Sequence, residues 1–182
     1  MKNEFKMCPM CGSTKIQWRD GKKWLCPDCG FDLYCNVAAA VGIVLYDNEG
    51  NVLFEVRAKE PRKGFLCLPG GFVDPDESAE DAVTRECREE LGAEVHGASY
   101  LCTFPNTYEY KNIEYKTCDI FFKTKLSEKY ENMEAFVKTL KREESEVVRF
   151  EIKRVCSAED IQALPLAFDS ARKTLLKFVE EK

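Results

Sequence analysis

Residues 69–92 read PGGFVDPDESAEDAVTRECREELG, from Pro69 to Gly92, and this stretch decides the fold. Ser78 with Asp81 three positions on is a helix-start signal, and Pro75 stands just before it. Gly92 after Leu91 supplies the stop, so the spacing predicts a helix over residues 78–91. At about 100° per residue, Ala79, Ala82, Val83, Cys87 and Leu91 form one apolar stripe while Asp81, Thr84 and Arg88 face away. Glu86 and Glu90 fall inside that stripe. Two carboxylates one turn apart repel each other and resist losing water, so an inward position calls for a compensating cation. Glu89, at the edge of the same face, can add another oxygen ligand for a hard cation. The alternative is a solvated acidic helix balanced by Arg85 and Arg88, and wheel position argues against it. Ahead of the helix, Pro69-Gly70-Gly71 is a turn that lets backbone approach a ligand closely.

Working outward toward the N-terminus, Val37 to Tyr46 reads as a buried strand, residues 47–51 as a turn, and Val52 to Val56 as a returning strand. Arg57, Lys59, Arg62 and Lys63 then make a basic loop, either a phosphate contact or a solvated surface. Toward the C-terminus, Phe104, Tyr108, Tyr110 and Tyr115 lead into a strand-like Cys118 to Phe122. Tyr108 or Tyr110 could stack on a flat ring, or simply pack within a hairpin. Met133, Phe136, Val137 and Leu140 predict an amphipathic helix, Val147 to Phe150 a strand, and Asp169 to Glu180 a second covering helix. His96, the single histidine, reads as structural or surface-exposed.

Cys8-Pro-Met-Cys11 and Cys26-Pro-Asp-Cys29 are two knuckles, each followed by glycine, with a Gly21 turn between two short strand-like runs. Four thiolates at this spacing converge on a structural Zn²⁺. Iron or a redox dithiol are the other readings of the same pattern. The boundary of this ribbon lies near Cys35, giving expected domains of residues 1–35 and 36–182. The remaining cysteines, Cys35, Cys67, Cys87, Cys102, Cys118 and Cys156, sit mostly in apolar sequence and read as small buried hydrophobes in a reducing cytoplasm.

The net charge of −5 excludes a global positive field for a polyanion, which disfavours sequence-independent nucleic-acid binding. The first ten residues carry no apolar run of signal-peptide or membrane-span length, so a cytoplasmic protein without membrane association is expected.

Gly71, five residues, Glu77, seven residues and Arg85-Glu86-Cys87-Arg88-Glu89-Glu90-Leu91-Gly92 together resemble the Nudix box, G-x5-E-x7-R-E-U-x-E-E-x-G-U. The departures are Cys87 and Ala93, small apolar residues where the pattern asks for bulky aliphatics. The resemblance implies an α+β fold, an α/β/α sandwich around a mixed sheet, preceded by the small zinc ribbon. It implies that Glu86 and Glu90 ligate Mg²⁺ or Mn²⁺, joined by the Gly70 carbonyl, with Glu89 a ligand or water-orienting group. Gly71, Glu77, Arg85 and Gly92 then support the geometry of the box. Glu146, in the run Glu143-Glu144-Ser145-Glu146, stands where the family often supplies a general base, or else belongs to a solvated charge run.

The activity implied is metal-dependent hydrolysis of the diphosphate in a nucleoside diphosphate derivative such as NADH or ADP-ribose, giving a nucleoside monophosphate and a phosphorylated product. A ribbon followed by a Nudix domain is similar to the NADH pyrophosphatase branch. The array S-Q-P-W-P-F-P-x-S of that branch is only partly matched by Ser99 to Thr107, which shares Ser, Phe and Pro but lacks Gln and Trp. Arg57, Phe104, Tyr108 and Tyr110 are the candidate substrate contacts. Two other functions remain open: a nucleotide-binding regulatory module without catalysis, and an RNA-cap-removing enzyme whose ribbon holds RNA. A homodimer is a further option.

Overall fold

The computed structural model describes residues 4–181; the outermost residues of the two expected domains, 1–3 and 182, lie outside the described residues. The chain divides into two compact units, one running from the N-terminus through Val37 together with Thr107–Lys116, the other made of Ala38–Asn106 and Thr117–Lys182. No helix of the described residues is long and apolar enough to cross a membrane.

In the first unit, β1 (Gln17–Arg19), β2 (Lys23–Leu25) and β3 (Asp32–Tyr34) form an antiparallel sheet in that order. The third strand follows the second cysteine knuckle and was not evident in the sequence. Among the described residues the buried core of this unit is Cys8, Ile16, Trp24 and Cys26, with Trp18 and Phe31 packed against it. A core this small needs a cross-link to hold a fold. The two knuckles repeat one geometry: Gly12 N donates to Cys8 O and Gly30 N to Cys26 O, each at 2.9 Å, with both glycines at positive φ.

The second unit begins with β4 (Ala38–Tyr46), whose middle is buried, and β5 (Asn51–Arg57). The turn between them is closed by Asp47, whose Oδ1 accepts from the amides of Glu49 and Asn51, each at 2.9 Å. Along the chain there follow β6 (Leu66–Cys67), α1 (Ala79–Leu91), the long hairpin strands β7 (Ser99–Tyr110) and β8 (Ile113–Lys125), whose ends within Thr107–Lys116 belong to the first unit, α2 (Met133–Val137), β9 (Val147–Arg154), α3 (Ala158–Gln162) and α4 (Asp169–Glu180). The sheet runs β6-β5-β4-β8-β7, with β9 paired to β5. It is mixed, because β4 and β8 are parallel while β5 is antiparallel to β4, β6 and β9.

Strand alternation distributes the apolar residues to two faces. Val44, Val52, Phe54 and Val56 join Ile161, Ala171, Leu175 and Phe178 on the α3–α4 side. Val41, Ile43, Leu45 and Leu53 join Ala82, Val83, Cys87 and Leu91 of α1 and Met133 and Phe136 of α2 on the other. The expected sandwich around a mixed sheet is therefore present.

Two local expectations need correction. The helix expected through Leu140 stops at Val137, where the amides of Thr139 and Leu140 bond three residues back to Phe136 and Val137 in tighter turns; Leu140 still packs against the α1-side core. Cys87 and Cys102 are buried as expected, but Cys35 and Cys156 are exposed, since both sit just beyond a strand end where the chain leaves the sheet.

The N-cap of α1 is Ser78, whose hydroxyl accepts from Asp81 N at 3.1 Å. Ser78→Ala is expected to lower stability by about 1 kcal/mol in urea unfolding. An unchanged midpoint would mean that tertiary packing alone fixes the helix start.

Candidate active site

The site is assembled where α1 meets the Pro69–Gly71 turn. That turn is stitched onto β4, because Val41 N donates to Gly71 O at 2.8 Å and Ile43 N to Pro69 O at 3.0 Å. Gly70 adopts φ 141°, and a Cβ there would stand 2.2 Å from the Val41 carbonyl oxygen. At Gly71 a Cβ would lie 2.4 Å from a Glu86 carboxylate oxygen. The first glycine is thus required by backbone packing and the second by the room the carboxylate occupies.

Glu86 and Glu90 are buried, at 9% and 7% exposure, on the inward face of α1. Glu90 accepts from Gly70 N at 2.7 Å. Burial raises both carboxyl groups; Glu90 is pushed up to about 8, the Gly70 amide opposing and the Glu86 charge reinforcing the shift. For Glu86 the opposing influence is Arg85.

Arg85 binds Glu77 in a two-pronged pair, Nε to Oε1 at 2.9 Å and Nη2 to Oε2 at 3.0 Å. The same guanidinium reaches Glu86 at 2.9 Å, Glu89 at 3.1 Å and the Phe72 carbonyl at 3.0 Å. One cation thereby fixes the loop to the helix. The Arg85 hydrogen bonds hold Glu77 below the usual glutamate range. Glu89 is exposed, its carboxylate tied to Arg85. Gly92 caps α1 in the left-handed region, its N–H bonded to Arg88 O.

Sequence reasoning missed Glu55. It lies in β5 at 1% exposure. Its carboxyl meets that of Glu90, and burial together with the charges of Glu90, Glu86 and Glu146 drives its pKa well up. No motif marks it; the one available signal was a charged residue inside an otherwise apolar strand.

Glu146 sits just before β9 and forms an ion pair with Lys59. Its charge is felt at Glu86 and Glu90. Arg57 Nε donates to Pro61 O at 2.8 Å, and the guanidinium lies 5.2 Å from the centre of the Phe168 ring. Phe104 is partly buried against the α3–α4 core. Tyr108 and Tyr110 belong to the first compact unit, Tyr108 half-buried and Tyr110 exposed with Lys111 5.1 Å from its ring centre. His96 is exposed beside Glu94.

The Sγ atoms of Cys8, Cys11, Cys26 and Cys29 all lie within 4.8 Å of one another, with Cys8–Cys29 and Cys11–Cys26 each at 3.7 Å. Thiolates placed tetrahedrally at about 2.3 Å from a zinc ion stand roughly 3.8 Å apart, so the donor set fits a tetrahedral thiolate metal site. Among the described residues this is the one group of three or more ligands gathered so tightly.

The family model described as the NUDIX domain matches residues 37–178. A protein of Stutzerimonas stutzeri named NAD-capped RNA hydrolase NudC is 28% identical over 101 residues, 56% of this chain and 36% of that protein. Its counterpart in Pseudomonas aeruginosa strain LESB58 is 36% identical over 99 residues, 53% of this chain and 34% of that protein. The match thus spans about a third of the length of these curated relatives. Among solved structures, a NUDIX hydrolase from Nitrosomonas europaea superimposes with a TM-score of 0.64 at 22% identity, covering 98% of this chain and 92% of that one.

In the metal-free protein Glu90 holds its proton up to about pH 8, whereas the unfolded chain releases it near 4.5. Between those values the folded state binds more protons than the unfolded state, so stability is greatest at the acid end and falls as pH rises. Urea midpoints of metal-free protein are expected to decline across this window, and Glu90→Gln to flatten the slope. A midpoint that climbs with pH would contradict the burial argument.

Proposed function

This chain belongs to the NUDIX domain family, and from that premise we propose that it hydrolyses the diphosphate bond of a nucleoside diphosphate derivative, such as NADH or ADP-ribose, to a nucleoside monophosphate and a phosphorylated product. The observation that carries the reading is the burial of Glu86 and Glu90 on the inner face of α1, beneath a turn whose glycines leave space for one carboxylate and donate to the other.

Glu86 and Glu90 would hold Mg²⁺ or Mn²⁺, with the Gly70 carbonyl as a further oxygen donor. Such an ion, when bound, neutralises diphosphate oxygens and lowers the pKa of a water. The chain's own residues supply the rest. Arg85 keeps Glu86 and Glu89 in place through its grip on Glu77 and the Phe72 carbonyl. Glu146, paired with Lys59, is the candidate general base; substrate phosphate competing for Lys59 would free its carboxylate to take a proton from the attacking water. We read Arg57, whose Nε donates to Pro61 O and whose guanidinium lies against the Phe168 ring, as a phosphate contact, and Phe104 as a contact for the base or its partner ring.

The relatives' names add NAD-capped RNA as a second substrate class. The regulatory-module reading is the weaker one, because a ligand-binding protein gains nothing from burying two carboxylates at this cost.

We read the cysteine cluster as a structural zinc site, residues 1–35 as a ribbon, and residues 36–182 as the hydrolase domain. Stripping metal with a strong chelator is expected to abolish the near-ultraviolet signal of Trp18 and Trp24 while leaving the larger unit folded. A ribbon that stays folded without metal would sink this assignment.

Purified protein with Mg²⁺ or Mn²⁺ is expected to release a nucleoside monophosphate from at least one of NADH, NAD⁺, ADP-ribose, FAD or NAD-capped RNA. Glu90→Gln should lower that turnover by orders of magnitude with the fold intact. A metal-loaded, folded protein that cleaves none of them would favour the binding module.

A further inference from the structure

Alternation along β5 sends Leu53 into the α1-side core, and Glu55, two residues on, is nearly as well buried at 1% exposure. An apolar side chain would fill this position at no electrostatic cost. Its cross-strand neighbours are Cys67 on β6 and Phe150 on β9, neither of them basic. Among the described residues, Glu55 Oε1 is the one buried side-chain oxygen or nitrogen without a hydrogen-bond partner.

The surrounding groups make the vacancy of positive charge plain. Glu55 faces Glu90, with Glu86 and Glu146 also acting on it. The nearby cations are already engaged: Arg85 by Glu77, Glu86 and Glu89, and Lys59 by Glu146. An unpaired carboxyl oxygen left dry is destabilising, and a native sequence keeps one where the group has a ligand to meet.

We propose that Glu55 is a further carboxylate of the divalent-cation centre, contributed by β5 from outside the helix motif, with Oε1 as the oxygen that turns to the cation held by Glu86 and Glu90. The inference rests on the cation-site reading of those two residues. It gives the centre a ligand from the sheet as well as from α1, so that cation binding ties strand and helix together and offsets the repulsion among all the carboxylates.

The test is Mn²⁺ binding to this chain, followed by electron paramagnetic resonance of the free ion and by the Mn²⁺-dependent rise in melting temperature. Wild type, Glu55→Gln, Glu55→Val and Glu90→Gln are compared. Both Glu55 variants are expected to bind Mn²⁺ at least about tenfold more weakly, in the range for loss of a supporting metal-site group. The metal-free melting temperature of Glu55→Val should equal or exceed that of wild type, because the unpartnered oxygen is gone. Should the valine variant fail to fold, the near-isosteric glutamine variant decides alone. Wild-type Mn²⁺ affinity in Glu55→Gln, with affinity lost in Glu90→Gln, overturns this inference and leaves the cation site standing. Wild-type affinity in both overturns the cation site itself, and this inference with it.

Discussion

The interaction on which the larger unit depends is the grip of one guanidinium on three carboxylates. Arg85 spans Glu77 at the end of the loop, Glu86 on the inward face of α1 and Glu89 on its outer edge, and it also ties down the Phe72 carbonyl. Without a cation at this point, burying Glu86 one turn from Glu90 would set two like charges against each other in a poorly hydrated place. With it, Glu86 is partly compensated, while Glu90 relies on the backbone amide of Gly70 and the carboxyl of Glu55. Compensation is incomplete by design of the sequence: one arginine serves the rim, and the interior carboxylates are left with a deficit of positive charge.

That deficit explains why the loop ahead of α1 is so tightly built. Pro69 and Gly71 are bonded to β4 through their carbonyls, so Gly70 has no freedom to retreat from Glu90. A sheet with cores on both faces makes β4 and β5 stiff, and the turn inherits that stiffness. Repulsive groups stay in place only where the scaffold is more rigid than the repulsion is strong. Precise placement of oxygen donors before any ligand arrives is what such a scaffold provides.

Much of this was legible in the sequence because helices write their burial at a period that charges cannot disguise. Ser78, Gly92 and the stripe of Ala82, Val83, Cys87 and Leu91 mark both the limits and the inner face of α1, and Glu86 and Glu90 stand out as intruders in it. The sheet strands on either side were readable from apolar runs. What escaped was of another kind. Glu55 is one charged residue in a strand, where a period of two gives no expectation that distinguishes an outward from an inward side chain until the partners on both faces are known. The short α3 had too few residues for a periodic signal, although Ser157 and Asp160 form a reciprocal cap there. Exposure of Cys35 and Cys156 was likewise invisible, since local apolarity says nothing about where a chain leaves its sheet.

The two clusters of ligand side chains differ in a way that separates their chemistry. The cysteine group is compact, its sulfurs within 4.8 Å of one another and near the spacing of a filled tetrahedron. The carboxylates of Glu55, Glu86 and Glu90 are buried, and one Glu55 oxygen has no hydrogen-bond partner. Soft sulfur donors select zinc over magnesium, and hard carboxylate oxygens do the reverse at cellular concentrations. A closed four-sulfur site would leave no position for a water or substrate, so a metal held there would only brace the small tryptophan core around it. The open, charge-deficient carboxylate site has the opposite character: its energy is lowered only when something positively charged arrives, which couples occupancy of the site to its final shape.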